Sequence, residues 1–178
     1  MELTETAPLD ASALPVAELA GHLRLGTGFA DDGLETPAVE SAIRAAVAVV
    51  ERRTGRALIA RQFVWRPVRS AAAVPLIPVA SVDAVDVVLD GERRPAGGWR
   101  LTGEWMSGLP SAPSGGAVEV TATLGFGAWE MVPSDLAQAA ILIGAALYEA
   151  RGAAAPEMPA AASALMGPWR RLRVGGRA

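Results

Sequence analysis

Apolar residues recur every three or four positions near the two ends of the chain and every second position in its middle. The pattern predicts helices flanking a set of strands. The strongest helical stretch is Val132–Arg151. Leu136, Ala139, Ala140, Ile143 and Leu147 keep helical spacing, and Ile141 and Leu142 widen the apolar surface beyond one stripe. Pro133 suits helix entry, and Ser134 or Asp135 can accept from the N–H groups of the first turn. Asp135 and Arg151 suit the two ends of the helix dipole. A helix this apolar needs cover from its own chain or from other subunits. Thr36 as N-cap and Pro37 as first helical residue open a second helix over 37–54. Val39, Ile43, Ala46, Val47 and Val50 form its apolar face, Arg44, Glu51 and Arg52 face water, and Gly55 stops it. A third helix over 15–25 places Val16, Leu19, Ala20 and Leu23 on one side before Gly26-Thr27-Gly28.

Between the helices the period changes to two. Leu58–Val68, Val82–Leu89, Trp99–Thr102 and Val118–Leu124 read as strands. In the last of these, Val118, Val120, Ala122 and Leu124 alternate with Glu119, Thr121 and Thr123. Asp90-Gly91-Glu92 is a turn, and Pro75 and Pro78 bracket an extended connector. Strands grouped between helices, with no βαβ alternation, predict an α+β fold. That fold is a small helical bundle with an inserted antiparallel β-sheet and an extended C-terminal arm. The organisation that follows is an N-terminal arm over 1–13, a main domain over 14–151 with its β insertion about 58–124, and 152–178 as linker, short helix and arm. Ala160–Met166 supplies the short helix, Gly167-Pro168 breaks it, and Trp169–Val174 is read as an extended or mobile basic tail.

Composition narrows the classes. The chain is 178 residues long and 51% hydrophobic, enough for a real core. It has no cysteine, which excludes disulfides and thiolate metal sites. The net charge is −3, and all sixteen basic residues are arginine. Met1–Glu40 holds eight acidic residues against Arg24 alone, whereas Gly167–Ala178 holds Arg170, Arg171, Arg173 and Arg177 with no acid. Opposite charge at the two ends points to different partners. Glu2 and Glu5 follow Met1 where a basic and then apolar run would stand, so no signal peptide is expected. The uncharged run Leu136–Tyr148 is thirteen residues, short of the roughly 20 that span a bilayer, so no membrane role is expected.

Candidate chemistry is sparse. His22 is the single histidine, with no second His or Cys to share a metal. The absence of lysine excludes the common phosphate-binding loop, and Gly125-Phe126-Gly127 is a glycine pair rather than a phosphate cradle. Asp31-Asp32 reads as a turn, and Asp83, Asp86 and Asp90 as solubility and turn residues. The tail is different. Trp169, Leu172 and Val174 interleave with Arg170, Arg171 and Arg173, the residue types that anchor protein–protein contacts.

Three segments carry a likeness to a known family. The first is Leu14-Pro15-Val16-Ala17-Glu18-Leu19 running on to His22-Leu23-Arg24-Leu25. The second is the helix Ala45–Val50 followed by Glu51-Arg52-Arg53-Thr54-Gly55-Arg56-Ala57-Leu58-Ile59. The third is Gly125-Phe126-Gly127, Val132-Pro133-Ser134-Asp135-Leu136, Leu147-Tyr148-Glu149-Ala150-Arg151 and Ala164-Leu165-Met166-Gly167-Pro168-Trp169-Arg170. In order and spacing the chain resembles the head–tail connector proteins, or portal adaptors, of tailed phages and phage-derived gene transfer agents, over roughly Leu14 to Val174. The family often has Tyr in place of Trp169, an aromatic anchor in either case.

The resemblance implies a structural virion protein with no catalytic residue, no cofactor and no metal. It implies a dodecameric homo-oligomeric ring under the portal protein, with DNA passing through the channel without sequence-specific binding. A tail-side connector or stopper protein is implied to bind below. The particle is implied to be assembled in the bacterial cytoplasm. The C-terminal arm is implied to reach the portal, which makes Leu165, Met166, Trp169, Arg170, Arg171, Leu172 and Arg173 the portal-interface candidates. Two other functions remain open from the residues: a nucleic-acid-binding accessory protein using the basic tail, and a small enzyme with an unrecognised site.

Overall fold

A computed structural model of the chain describes residues 2–24, 36–150 and 157–170. It divides into two compact units, Met1–Leu9 with Ile59–Gly127 and Asp10–Leu58 with Ala128–Ala178. The fold is α+β, with antiparallel sheets in the first unit and helices in the second.

The helical unit contains α1 (Val16–His22), α2 (Thr36–Thr54), α3 (Ser134–Glu149) and α4 (Ala160–Met166). α2 packs on α3, and α1 and α4 each pack on both. Leu19, Ile43, Val50, Leu136, Ala140 and Met166 are fully enclosed; burying a large aliphatic side chain contributes about 1.5–3 kcal/mol. Gly144 explains how close α3 can come to its neighbours. A Cβ there would lie 3.0 Å from Leu19 Cδ2 and 3.4 Å from Ile43 Cδ1.

The apolar helix read from Val132–Arg151 exists as α3, and its own chain supplies much of its cover. Leu136, Ala139, Ala140, Ile141, Ile143, Gly144, Ala145 and Tyr148 are buried. Tyr148 takes the interior position expected of Leu147, which is half-buried. At the other end of the chain α1 stops at His22, and Arg24 adopts a left-handed backbone with φ 55°. The turns read at Gly26-Thr27-Gly28 and Asp31-Asp32-Gly33, and Arg151, lie outside the described residues.

Glu51 corrects the reading of α2. It is not on the wet face but buried, and its Oε1 accepts the N–H of Leu58 at 2.8 Å. The cause lies in the chain beyond the helix. Gly55 takes a φ of 68° and the chain turns back, leaving a buried amide that no helix or strand partner satisfies. Thr54 completes the turn, donating to the Val50 carbonyl at 2.8 Å and accepting from the Arg56 N–H at 3.2 Å.

The sheet unit has eight strands: β1 (Glu2–Glu5), β2 (Arg61–Arg66), β3 (Ala72–Ala73), β4 (Val79–Leu89), β5 (Glu92–Pro95), β6 (Arg100–Thr102), β7 (Trp105–Ser107) and β8 (Ala117–Leu124). They form a five-stranded sheet in the order β1-β2-β8-β4-β5 and a three-stranded sheet in the order β3-β7-β6. All pairings are antiparallel. β8 is the centre of the larger sheet, and its Val118, Val120, Ala122 and Leu124 are buried as the alternation requires.

Glu2–Glu5 is therefore a strand and not an arm, because its backbone pairs with β2 from Glu2↔Arg66 to Glu5↔Phe63. The first strand of the middle region starts at Arg61 rather than Leu58, since the Leu58 amide is held by Glu51. Asp90 and Gly91, at φ 52° and 82°, form the two-residue turn between β4 and β5. Positive φ at both central positions is what the hairpin turn with matching strand twist demands.

Candidate functional site

One interface candidate, Trp169, meets the start of α3. Asp135 lies in the first turn of that helix, and its Oδ1 accepts the Leu136 N–H at 3.0 Å. Its other oxygen accepts the indole N–H of Trp169 at 2.5 Å. Trp169 closes a 3-10 turn, Gly167–Trp169, that directly follows α4. The guanidinium carbon of Arg56, just past the end of α2, sits 5.3 Å from the centre of the Trp169 ring. Such a cation–π contact is worth about 0.5–2 kcal/mol depending on desolvation. Two of the three resemblance segments thus meet here, one through Arg56 and the other through Asp135 and Trp169.

The candidates separate by burial. Met166 is fully enclosed and is a core residue of the helical unit. The helical period turns it inward with Ala162, four residues earlier. Leu165 and Trp169 are half-buried, and Arg170 is exposed. Trp169 is held in a defined turn rather than in a tail. Arg171, Leu172 and Arg173 lie outside the described residues.

Sequence reasoning missed a second constellation, on the polar face of the larger sheet. Glu119 on β8 is 2% exposed. Its Oε1 accepts from Arg66 Nε at 2.9 Å and Nη2 at 2.6 Å, and Arg93 Nη2 lies 2.7 Å from its Oε2. Arg66 also donates to Glu2 at 2.8 Å, and Arg93 reaches Asp86 at 4.0 Å. Each of the five strands contributes one charge; Asp86 and Glu119 are partners across β4 and β8, and Arg93 from β5 reaches both. The carboxylates of Glu119 and then Glu2 raise the Arg66 guanidinium above its ordinary pKa. The only hint in the sequence was Glu119 itself, a charge in the most regular strand.

Farther along the same face, Asp83 accepts from Ser81 at 2.6 Å, Gln62 at 3.1 Å and Thr123 at 3.1 Å. Those donors hold its pKa below the usual carboxylate value, Ser81 contributing most. The arrangement binds the strands to one another. Among the described residues no three His, Cys, Asp or Glu side chains gather as a metal site requires, and His22 is exposed at the end of α1. A groove of about 600 Å³ on the sheet unit passes Arg66, Val68, Arg69, Pro110 and Val118. What the two constellations can do chemically is fix surfaces: one ties the root of the C-terminal segment, the other ties five strands.

Neither a protein-family profile nor a curated protein matches the chain. Solved structures do. A chain in the neck of an empty GTA particle computed with C6 symmetry is 43% identical with a TM-score of 0.89, and each chain covers 100% of the other. A chain in the virion of a native gene transfer agent (GTA) particle is 44% identical, with 99% of each chain covered and a TM-score of 0.84. A chain in the neck of a native GTA particle computed with C12 symmetry is 37% identical over 100% of both chains, with a TM-score of 0.83.

Proposed function

The chain belongs to the head–tail connector family of tailed phages and phage-derived gene transfer agents, and on that premise we propose that it forms a ring under the portal of such a particle. In that position it extends the DNA channel and joins the head to the tail. The observation that carries this reading is the presence of similar full-length chains in GTA necks of C6 and C12 symmetry. Twelve copies satisfy both symmetries. Closing a ring needs two different complementary faces on each subunit.

In this reading the chain has no catalytic role and holds no cofactor. Residues 14–151 are the connector domain, and 152–178 carry the contact with the portal protein. Leu165, Trp169, Arg170, Arg171, Leu172 and Arg173 lie at or near that contact, with Met166 holding α4 in place beneath them. A tail-side connector or stopper binds the opposite end of the ring. DNA slides past without sequence-specific binding, which a net charge of −3 favours, because affinity for DNA grows with the number of phosphates neutralised. Assembly takes place in the bacterial cytoplasm.

Electron microscopy of particles made without this chain tests the reading. Filled heads bearing portals but no tails are expected. Tailed, infectious or gene-transferring particles in its absence would overturn it.

A further inference from the structure

If Trp169 were inserted in a partner, its ring faces and its N–H would be available to that partner. In this chain one face lies against Arg56 and the N–H is held by Asp135. These contacts come from three segments distant in sequence, one after α2, one opening α3 and one after α4. The next residue, Arg170, is exposed, and Arg171, Arg173 and Arg177 follow within the last eight residues.

We propose that Asp135 and Arg56 are positioning residues that clamp Trp169 to its own subunit. The clamp fixes where Arg170, the last described residue, stands on the helical unit. Contact with the portal then belongs to Arg170 and the arginines beyond it, and the surface they fit is acidic. Trp169 acts as the pin of the arm rather than as its anchor. Holding Trp169 removes freedom that the turn at 167–170 would otherwise lose on binding, so affinity rises without a new contact. This inference rests on the portal reading of the C-terminal segment.

The test measures binding of the full chain to isolated portal rings, together with hydrogen exchange over residues 157–170. W169F keeps the ring over Arg56 and removes the donor, and R56Q removes the stacked cation while leaving Asp135 in place. Each is expected to weaken binding by about tenfold and to speed exchange over 157–170. The double variant should lose little more than either single one, as coupled residues do. Removing 171–178 should abolish binding with exchange over 157–170 unchanged.

The clamp is overturned if W169A loses binding while W169F and R56Q bind like the unaltered chain and keep its exchange pattern. That result would put the indole in the partner. If removing 171–178 leaves binding intact, the portal reading of the arm fails instead. The clamp is then decided by the exchange of W169F and R56Q alone, and unchanged exchange overturns it.

Discussion

The two units each bury a carboxylate, and they do so in opposite ways. In the helical unit Glu51 is 6% exposed and accepts a backbone N–H seven residues away. In the sheet unit Glu119 is 2% exposed and lies between two arginines, Arg66 being 53 residues away in sequence. Glu51 satisfies a donor that has no access to water. Glu119 accepts hydrogen bonds from Arg66 and lies beside Arg93, whose side chains are themselves 49% and 56% exposed and can return to solvent. The difference teaches that equal burial does not mean equal contribution. What counts is the state of the partner once the carboxylate is gone.

The most damaging test asks how close the backbone approaches in each unit. Gly125 has a φ of 134°, and a Cβ there would fall 2.5 Å from the Ala60 Cα. Gly125→Ala should cost about 3–5 kcal/mol, from backbone strain together with a clash that no rotamer relieves. In the helical unit Ile43→Ala removes a fully buried side chain, and about 2–5 kcal/mol is expected. Denaturant unfolding followed by circular dichroism measures both. A Gly125→Ala protein as stable as the parent would show that the chain leaves β8 by another path.

The buried carboxylates come next. Glu51→Ala should cost about 1–3 kcal/mol, because the Leu58 N–H is left without its partner. Glu119→Ala should cost about 1 kcal/mol or less, since Arg66 keeps Glu2 and Arg93 turns to water. The same unfolding experiment gives the order. If Glu119→Ala proves the more damaging, the row of charges stabilises the sheet cooperatively and the comparison is reversed.

The smallest effect is one of pH. The pKa of Asp83 is depressed in the folded chain by Ser81, Gln62 and Thr123. Its contribution is therefore fully present above the ordinary carboxylate value near 4 and is lost as pH falls through the lower folded value. Asp83→Asn should flatten the acid limb of the stability profile below about pH 4 and leave stability near pH 7 little dependent on pH. A parallel fall in both proteins would show that the hydrogen bonds to Asp83 add nothing. Asp10 is a local counterpart, its pKa lowered by the hydroxyl and N–H of Ser12 two residues on.

Local chemistry alone wrote much of the helical unit into the sequence. The 3.6-residue period placed Val39, Ile43, Ala46, Val47 and Val50 on the buried side of α2, and Gly55 marked its end. Pro133 and Asp135 marked the start of α3. The period of two gave β8 and its buried side, and Asp90-Gly91 gave the turn out of β4. β1 and β5 were illegible because Glu-Leu-Thr-Glu and Glu-Arg-Arg-Pro carry no apolar alternation. They are strands only because β2 and β4 offer them backbone partners.

The same division runs through the candidate sites. The sequence by itself determined that Trp169 and four arginines stand together in the last ten residues. It also determined the order of caps and core positions by which the family was recognised. Only the tertiary structure decided that Asp135 and Arg56 hold Trp169, that Met166 belongs to the core, and that Glu119 lies beneath two arginines. The physical reason is reach. A cap or a helical face is set by neighbours within a few residues, whereas these contacts join segments whose meeting depends on the whole chain folding back upon itself.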